Sequence, residues 1–545
     1  MDFYEFETEI IGGGPELTPE CVKNIEVVQS LGKKFHKKAG TLSPQIDDAL
    51  NRLPKELTKI IEVAHQPNFL PYLGIFRKAA ISDYLVKRLS EKKQEVLALF
   101  GFVDTDGCTN EFIGQNKIPA SNLQGYKRIG FKIEKDDRRS HYDVISKPSE
   151  EAFGEQVKII SENYGSAEKE KVTAVEDLLW ESYRQASTFA ELNEYFISKL
   201  VNDVWGLGIV FFTYSDVQKQ GLFADVWAKI IVEIKEFNKH YNDGLKTAGF
   251  PPTDTEKYFP FWYHCGCGAK VALEIESFNP LIVRGTCPLC ENEANLEFDE
   301  EASQLNEYFP DMSVRAVTRN LVYGQGLGSA VYVSGSGGGL RYGILASEIA
   351  AKMDFTQPKT LAWKGQDLYI GVVHEAVLND LFGTLGLSKE QLPDSKDVAT
   401  KIKDFKADSI KEIRRLEEGQ CKIQKQKAEI YKSGLTNDKK EEIESLKKEE
   451  SKLKGEIQSQ KNRYQPVEKA LNVFSLTPSI IDLLVSHGLK SDINSTWNHA
   501  LSKAAIKDDG WAYLIKEDVI HETEHYNTLE TKTIYETMKE LEKND

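Results

Sequence analysis

Four cysteines in one short window constrain this chain more than any other feature. They stand as C-x-C-x19-C-x2-C, at Cys265, Cys267, Cys287 and Cys290. Two close pairs separated by a loop can place four thiolates tetrahedrally around one ion. Gly266 and Gly268 flank Cys267, and Pro288 lies inside the second pair, so backbone amides can turn toward the sulfurs. Four thiolates saturate zinc and leave no open position for water or substrate. The spacing therefore predicts a structural zinc site and argues against hydrolytic zinc chemistry. The alternative is a buried cluster of reduced cysteines, or one closed by disulfides. His264, beside the first ligand, reads as a surface histidine, with replacement of one cysteine in the ligand set as the alternative. The other cysteines, Cys21, Cys108 and Cys421, are scattered. Clustered cysteines in a long chain without a disulfide framework fit a reducing compartment.

At 545 residues the chain exceeds one ordinary core, so several domains or one interrupted domain are expected. A net charge of −16 excludes a general polyanion binder. The basic patches at Lys33-Lys34-Phe35-His36-Lys37-Lys38 and Arg138-Arg139 read as solvated surface runs. The acidic start lacks a basic region followed by an apolar run, and the longest apolar stretch, around Leu207 to Tyr214, is too short to cross a bilayer. The expectation is a cytoplasmic protein without a membrane segment.

The fold class predicted is α/β: a Rossmann-like parallel sheet interrupted by a helical, zinc-bearing insertion, followed by a C-terminal antiparallel coiled-coil hairpin. Residues 1–57 read as a helical lead-in. Within 58–165, the first half of the core, Lys59–Ala64 and Glu95–Val103 read as strands around a helix from Leu73 to Val86. Residues 166–310 form the insertion, helical to about 250, with the zinc module at 261–298. Residues 311–397 resume the core: Ala330–Val333 reads as a strand and Arg341–Lys352 as a helix. In 398–470, apolar residues recur at heptad spacing (Ile402, Ile413, Leu416, Ile423, Ile430, then Ile443, Leu446, Leu453, Ile457, Tyr464, Val467) on two arms broken at Ser433–Asp438. Gln420, Glu450 and Gln460 make this seam weak alone, so a second copy, as a homodimer through the coiled coil, or the body of the protein is expected to cover it. Residues 471–545 read as a helical tail.

Two stretches carry ligand chemistry. His65 and Asn68 stand at a strand end in front of a helix, where a phosphate would meet the helix N-terminus. Their imidazole and amide can donate hydrogen bonds to charge on a transferred phosphoryl group. The alternative is a turn stabilised by Asn68. Ser334, Gly335, Ser336, Gly337 and Gly338, with Gly339, follow a strand and precede a helix, so their amides can cradle a nucleotide; a plain flexible loop is the alternative.

His65-Gln66-Pro67-Asn68 resembles the first signature of class I aminoacyl-tRNA synthetases. Phe102-Val103-Asp104-Thr105-Asp106-Gly107 and Arg315-Ala316-Val317-Thr318-Arg319-Asn320-Leu321-Val322-Tyr323-Gly324 resemble segments of their methionyl type, the second rejoining the sheet after a zinc-bearing insertion. A Lys-Met-Ser-Lys-Ser loop and an anticodon-binding domain are missing. The same segments, with Val331-Tyr332-Val333 and the glycine run, resemble the BshC family, the cysteine-adding enzymes of bacillithiol biosynthesis, which pair a synthetase-like core with a long coiled coil. Gly107-Cys108 stands where that family has a histidine, and the four-cysteine site is a further departure.

The BshC resemblance implies an ATP-dependent ligase that joins an amino acid, cysteine, to an amine on a small acceptor. ATP or ADP would be the nucleotide. His65 and Asn68 would stabilise phosphate charge, Asp104 and Asp106 would bind an amino group or orient the nucleophile, and Arg319 would meet an anionic group. A synthetase-like paralogue acting on tRNA is the second expectation, disfavoured by the acidic charge. A non-catalytic zinc and coiled-coil scaffold is the third.

Overall fold

Lys59–His65 (β1) and Val96–Phe102 (β2) are buried along nearly their whole length. Unbroken apolar runs of this kind suit strands covered on both faces. The computed structural model places both in a seven-stranded sheet with Val210–Thr213 (β3), Ser329–Ser334 (β4), Lys359–Trp363 (β5), Ile506–Asp508 (β6) and Tyr513–Ile515 (β7). It describes all residues except 108–113, 166–167, 336, 388–394, 435, 491–492 and 543–545, with the backbone alone at 338 and 395–399.

The spatial order is β6-β7-β5-β4-β1-β2-β3. Every neighbouring pair is parallel except β6 with β7. The chain thus steps one way from β1 to β2 and β3, then the other way from β4 to β5 and β7. The reversal falls between β1 and β4. In open parallel sheets such a point leaves a crevice at the carboxyl ends of the strands, and ligands bind there. The helix Gly74–Glu91 (α1) connects β1 to β2; Ala316–Leu327 (α2) precedes β4; Gly338–Met353 (α3) connects β4 to β5. Ile60, Leu97, Leu99, Val210 and Phe212 pack with Ile25 and Val28 of the N-terminal helices and with Leu345 and Ile349 of α3.

The insertion differs from its reading. Residues 166–250, expected as helical, contain β3. The run Ile209-Val210-Phe211-Phe212 is aromatic and β-branched, and it is bounded by Gly206 and Gly208 at positive φ, which marks a strand rather than a helix. The cysteine window belongs to a larger, five-stranded antiparallel sheet. Its strands are Tyr258–His264, Lys270–Phe278, Leu281–Thr286, Glu293–Phe298 and Met312–Val314, the last pairing with the first. Residues 471–545, expected as a helical tail, supply β6 and β7; runs of three residues are too short for periodicity to reveal.

By contacts the chain divides into two units, one of Met1–Asn116, Ile129–Asp367 and Pro478–Val519, the other of Lys117–Arg128, Leu368–Thr477 and Ile520–Asp545. The first holds both large sheets. In the second, two long helices, Ser395–Lys432 and Asn437–Phe474, lie against each other. Lys427 pairs with Glu450 at 2.6 Å and Glu417 with Lys461 at 2.8 Å, so the helices run in opposite directions. Ile402, Leu416, Ile423, Ile443, Ile457 and Val467 are buried. The polar position Glu450 is satisfied by Gln424, Lys427 and Lys454. Among the described residues no helix is long and apolar enough to cross a membrane.

Candidate functional site

The turn that follows β1 leaves the sheet at the switch point. Leu70 sits there at φ 43°, in the left-handed region, which costs a non-glycine residue on the order of 1–3 kcal/mol. Burial of Phe69 and Leu70 and a hydrogen bond from the Asn116 amide to the Leu70 carbonyl hold it. His65 donates through Nδ1 to the Gln66 carbonyl at 2.8 Å. Its Nε2 is therefore an acceptor, 3.5 Å from the Tyr72 hydroxyl. Burial, and then Lys78, push the imidazole down to about 3, so it is neutral at pH 7. The ring expected to donate to a phosphate presents a lone pair instead. Asn68 is buried, and its Oδ1 has no partner among the described residues.

Lys78 of α1 reaches into the same place. Its Nζ donates to the Ala64 carbonyl at 3.2 Å. A Cβ at Gly335 would lie 3.4 Å from Lys78 Cε, so this side chain runs alongside the glycine loop. Burial, reinforced by Arg319, pushes Lys78 down to about 7. At Gly339 a Cβ would fall 2.4 Å from Ser334 Oγ, so any side chain there would displace that hydroxyl. The N-terminus of α3 opens from this loop without a side-chain cap. Ser334 is buried, Gly335 and Gly337 belong to the loop, Gly338 begins α3, and Ser336 lies outside the described residues.

Asp106 faces the turn after β1. Gln66 Nε2 donates to its carboxylate at 2.9 Å, and Arg319 Nη1 and Lys270 Nζ each stand 3.5 Å away. Burial raises its pKa, but Lys270, Arg319 and Gln66 together hold it below the usual value. Glu62, also near Arg319, accepts from Ser329 Oγ at 2.8 Å and leaves Oε1 unpartnered among the described residues; burial pushes this carboxyl up to about 7. Tyr214 and Tyr323 stack at 3.9 Å, and the Tyr214 hydroxyl is buried without a partner among the described residues. Asp104 is placed elsewhere. Its carboxylate takes the backbone N–H of Ser215 at 2.9 Å and the Ser215 hydroxyl, and burial, with Asp143 nearby, pushes it up to about 8. It ties the exit of β2 to that of β3. The acidic pair of the sequence reading is divided: Asp106 joins His65, Gln66 and Arg319, and Asp104 does not.

The four cysteines converge. Cys265 and Cys290 have their sulfurs 3.5 Å apart, Cys267 and Cys287 3.4 Å, and all four lie within 4.8 Å of one another. Four sulfurs at about 2.3 Å from one tetrahedral ion are about 3.8 Å apart, so the set can hold a metal ion. Two tight turns make it: Gly268 at φ 92° closes the first, with Gly268 N–H on the Cys265 carbonyl at 2.8 Å, and the N–H of Leu289 reaches Cys287 Sγ at 3.4 Å in the second. Burial raises the Cys287 thiol, but the amides of Cys290 and Leu289 pull it down to about 7. The first turn also docks onto the loop after β2: His141 N–H bonds the Gly268 carbonyl at 3.1 Å, and Tyr142 N–H bonds the Asp106 carbonyl at 3.0 Å. His264 is not the surface residue expected. It is buried, 2.8 Å from Ser313 Oγ and stacked on His141 at 4.5 Å. The antiparallel pairing of Tyr258–His264 with Met312–Val314 turns it inward.

Sequence reasoning passed over Gln66, Glu62, Lys78 and Lys270. Lys78 carried a signal: it lies one turn from the buried Ile75 and Ile81, a cation on an apolar stripe. Lys270 carried none, because the alternation of buried Val271, Leu273 and Ile275 assigns it to solvent. Compared with known proteins, the chain matches no family model, and no curated protein matches it significantly.

Proposed function

We propose that this protein is an ATP-dependent ligase of the BshC type that joins the carboxylate of an amino acid, cysteine, to an amine on a small acceptor. One observation supports this above the rest: at the switch point Lys78 runs alongside Gly335, next to the uncapped start of α3. Backbone N–H groups at a helix start and a lysine are the elements that hold a phosphate. Asp106 and Arg319 stand across the turn after β1 and suit the amino and carboxylate groups of the second substrate. In the reaction a cysteine carboxylate oxygen attacks a phosphorus of ATP, expelling pyrophosphate or ADP. The acceptor amine then attacks the carbonyl and expels AMP or phosphate. His65 Nε2, an acceptor, orients the amine; Asn68 faces the phosphate side.

The metal ion is proposed to be zinc, held by Cys265, Cys267, Cys287 and Cys290 and structural in role. The two long helices of the second unit are read as a coiled-coil hairpin that joins two copies, and the protein as cytoplasmic.

Calorimetric titration of ATP tests the crevice. Lys78→Met should weaken ATP at least about 10-fold, the range of a lost charge-assisted hydrogen bond, while thermal stability holds or rises because a buried cation is gone. Equal ATP affinity in both proteins would remove Lys78 from the site.

A further inference from the structure

The crevice carries more positive charge than its own carboxylates neutralise. Arg319 and Lys270 share Asp106, both at 3.5 Å, beyond the 2.7–2.9 Å of a close charge-assisted contact. The Nε of Arg319 is buried and unpartnered among the described residues. Arg315 lies over the Trp262 ring at 4.4 Å, and its Nε is likewise buried without a partner there. Lys270 lies over the same ring at 5.1 Å. Trp262 thus serves as an electron-rich support for two cations, a modest compensation compared with a counter-ion. Lys78 adds a further amine near Arg319. Against these cations, of which Lys78 is itself half-titrated, stand Asp106, the half-titrated Glu62 and, near Arg315, Glu274, so the positive charge is still in excess. Buried uncompensated cations cost several kcal/mol each, and unpartnered buried donors in a native protein mark a missing partner.

Two of these groups come from the cysteine module. Lys270 opens the strand that leaves the first cysteine turn, and Trp262 lies on the strand that enters it. That turn is fastened to the loop bearing Asp106 through His141 and Tyr142.

We propose that the cysteine module is part of the ligand site, and that Lys270, with Arg319, contacts an oxyanion of the bound substrate, a carboxylate or a phosphate. This rests on reading the crevice as the ligase site. The module then does more than fold the insertion: its first metal-binding turn sets the height of the Lys270 ammonium over Asp106.

The test uses the full-length, zinc-loaded protein and two probes, malonate and inorganic pyrophosphate, titrated by calorimetry into wild type, Lys270→Met and Lys270→Arg. Lys270→Met should lose at least about 10-fold in affinity for one or both probes, and Lys270→Arg should stay within about 3-fold, since a charge-assisted contact is kept. Zinc content should be unchanged and the ligand-free melting point equal or higher. Loss confined to malonate assigns a carboxylate, and loss confined to pyrophosphate a phosphate. Wild-type binding of both probes by Lys270→Met, or no binding of either to wild type, overturns the proposal. If ATP binds through Lys78 while Lys270→Met leaves the probes unaffected, this inference fails and the ligase reading stands. If ATP does not bind but Lys270→Met loses malonate, the ligase reading fails and the oxyanion contact stands.

Discussion

Replacing Cys287 with serine should eliminate stoichiometric zinc and loosen residues 258–298 before the parallel sheet yields. Cys287 is the most buried of the four cysteines, and its sulfur takes the N–H of Leu289 at 3.4 Å. A serine hydroxyl is shorter and is not a zinc ligand at neutral pH. Removal leaves three sulfurs around the ion and a polar hydroxyl among the apolar neighbours that bury Cys287. Structural zinc contributes roughly 10–16 kcal/mol to small zinc-finger peptides. Here the effect should be smaller, because Phe259, Phe261, Val271, Val283 and Phe298 give the module a core that survives the ion. A loss of at least about 3 kcal/mol in the unfolding of this unit is expected on that scale. Atomic emission should find zinc in wild type and none in the variant. Amide exchange should rise first at Cys265–Ala269 and Cys287–Asn292. A variant that keeps one zinc per chain and the wild-type melting point would remove Cys287 from the ligand set.

Asp106→Asn should be nearly as damaging, for an electrostatic reason. The amide keeps the shape of the carboxylate and a carbonyl for Gln66 but loses the one depressed carboxyl between Lys270 and Arg319. Removing one partner from a buried ion cluster costs about 3–5 kcal/mol, because the other charges remain buried. The pH dependence identifies the cause. The pKa of Asp106 is lowered in the folded protein, so its stabilisation is present above the unfolded value near 4 and is lost as pH falls through the folded value. The gap between wild type and variant should therefore be full at pH 7 and shrink below about pH 4. An added oxyanion should restore part of it. Urea unfolding at several pH values measures this; a gap under about 0.5 kcal/mol at pH 7 would show that the cations do not depend on Asp106.

Some of this was readable in the chain and some was not, for definite reasons. β1 and β2 announce themselves because each is an apolar run of sufficient length, bounded by Pro54, by the turn at His65 and by Asp104, and α1 because its apolar residues recur at helical spacing. The four cysteines are legible because ligand spacing is short-range. β6 and β7 were not: each has three residues, β7 takes its strand character from β5, far away in sequence, and β6 takes its own from β7. His65 and Asp106 were found through a local motif, yet their states were not. Which nitrogen of His65 bears the proton follows from the Gln66 carbonyl, and which aspartate faces the crevice follows from Ser215, a residue on a separate strand connection. Lys270 illustrates the limit. Strand alternation sends it to solvent, and only the docking of the cysteine turn on the Asp106 loop brings it inside.

On the proposed reading, this crevice activates a carboxylate with ATP. The most direct test follows ATP by phosphorus NMR with the zinc-loaded protein, cysteine and hydroxylamine, an amine that traps an activated carboxylate whatever the natural acceptor. ATP cleavage that requires cysteine, to AMP and pyrophosphate or to ADP and phosphate, together with a cysteine hydroxamate, is the predicted result. ATP that stays intact with cysteine and hydroxylamine present, in protein of full zinc content, would contradict it.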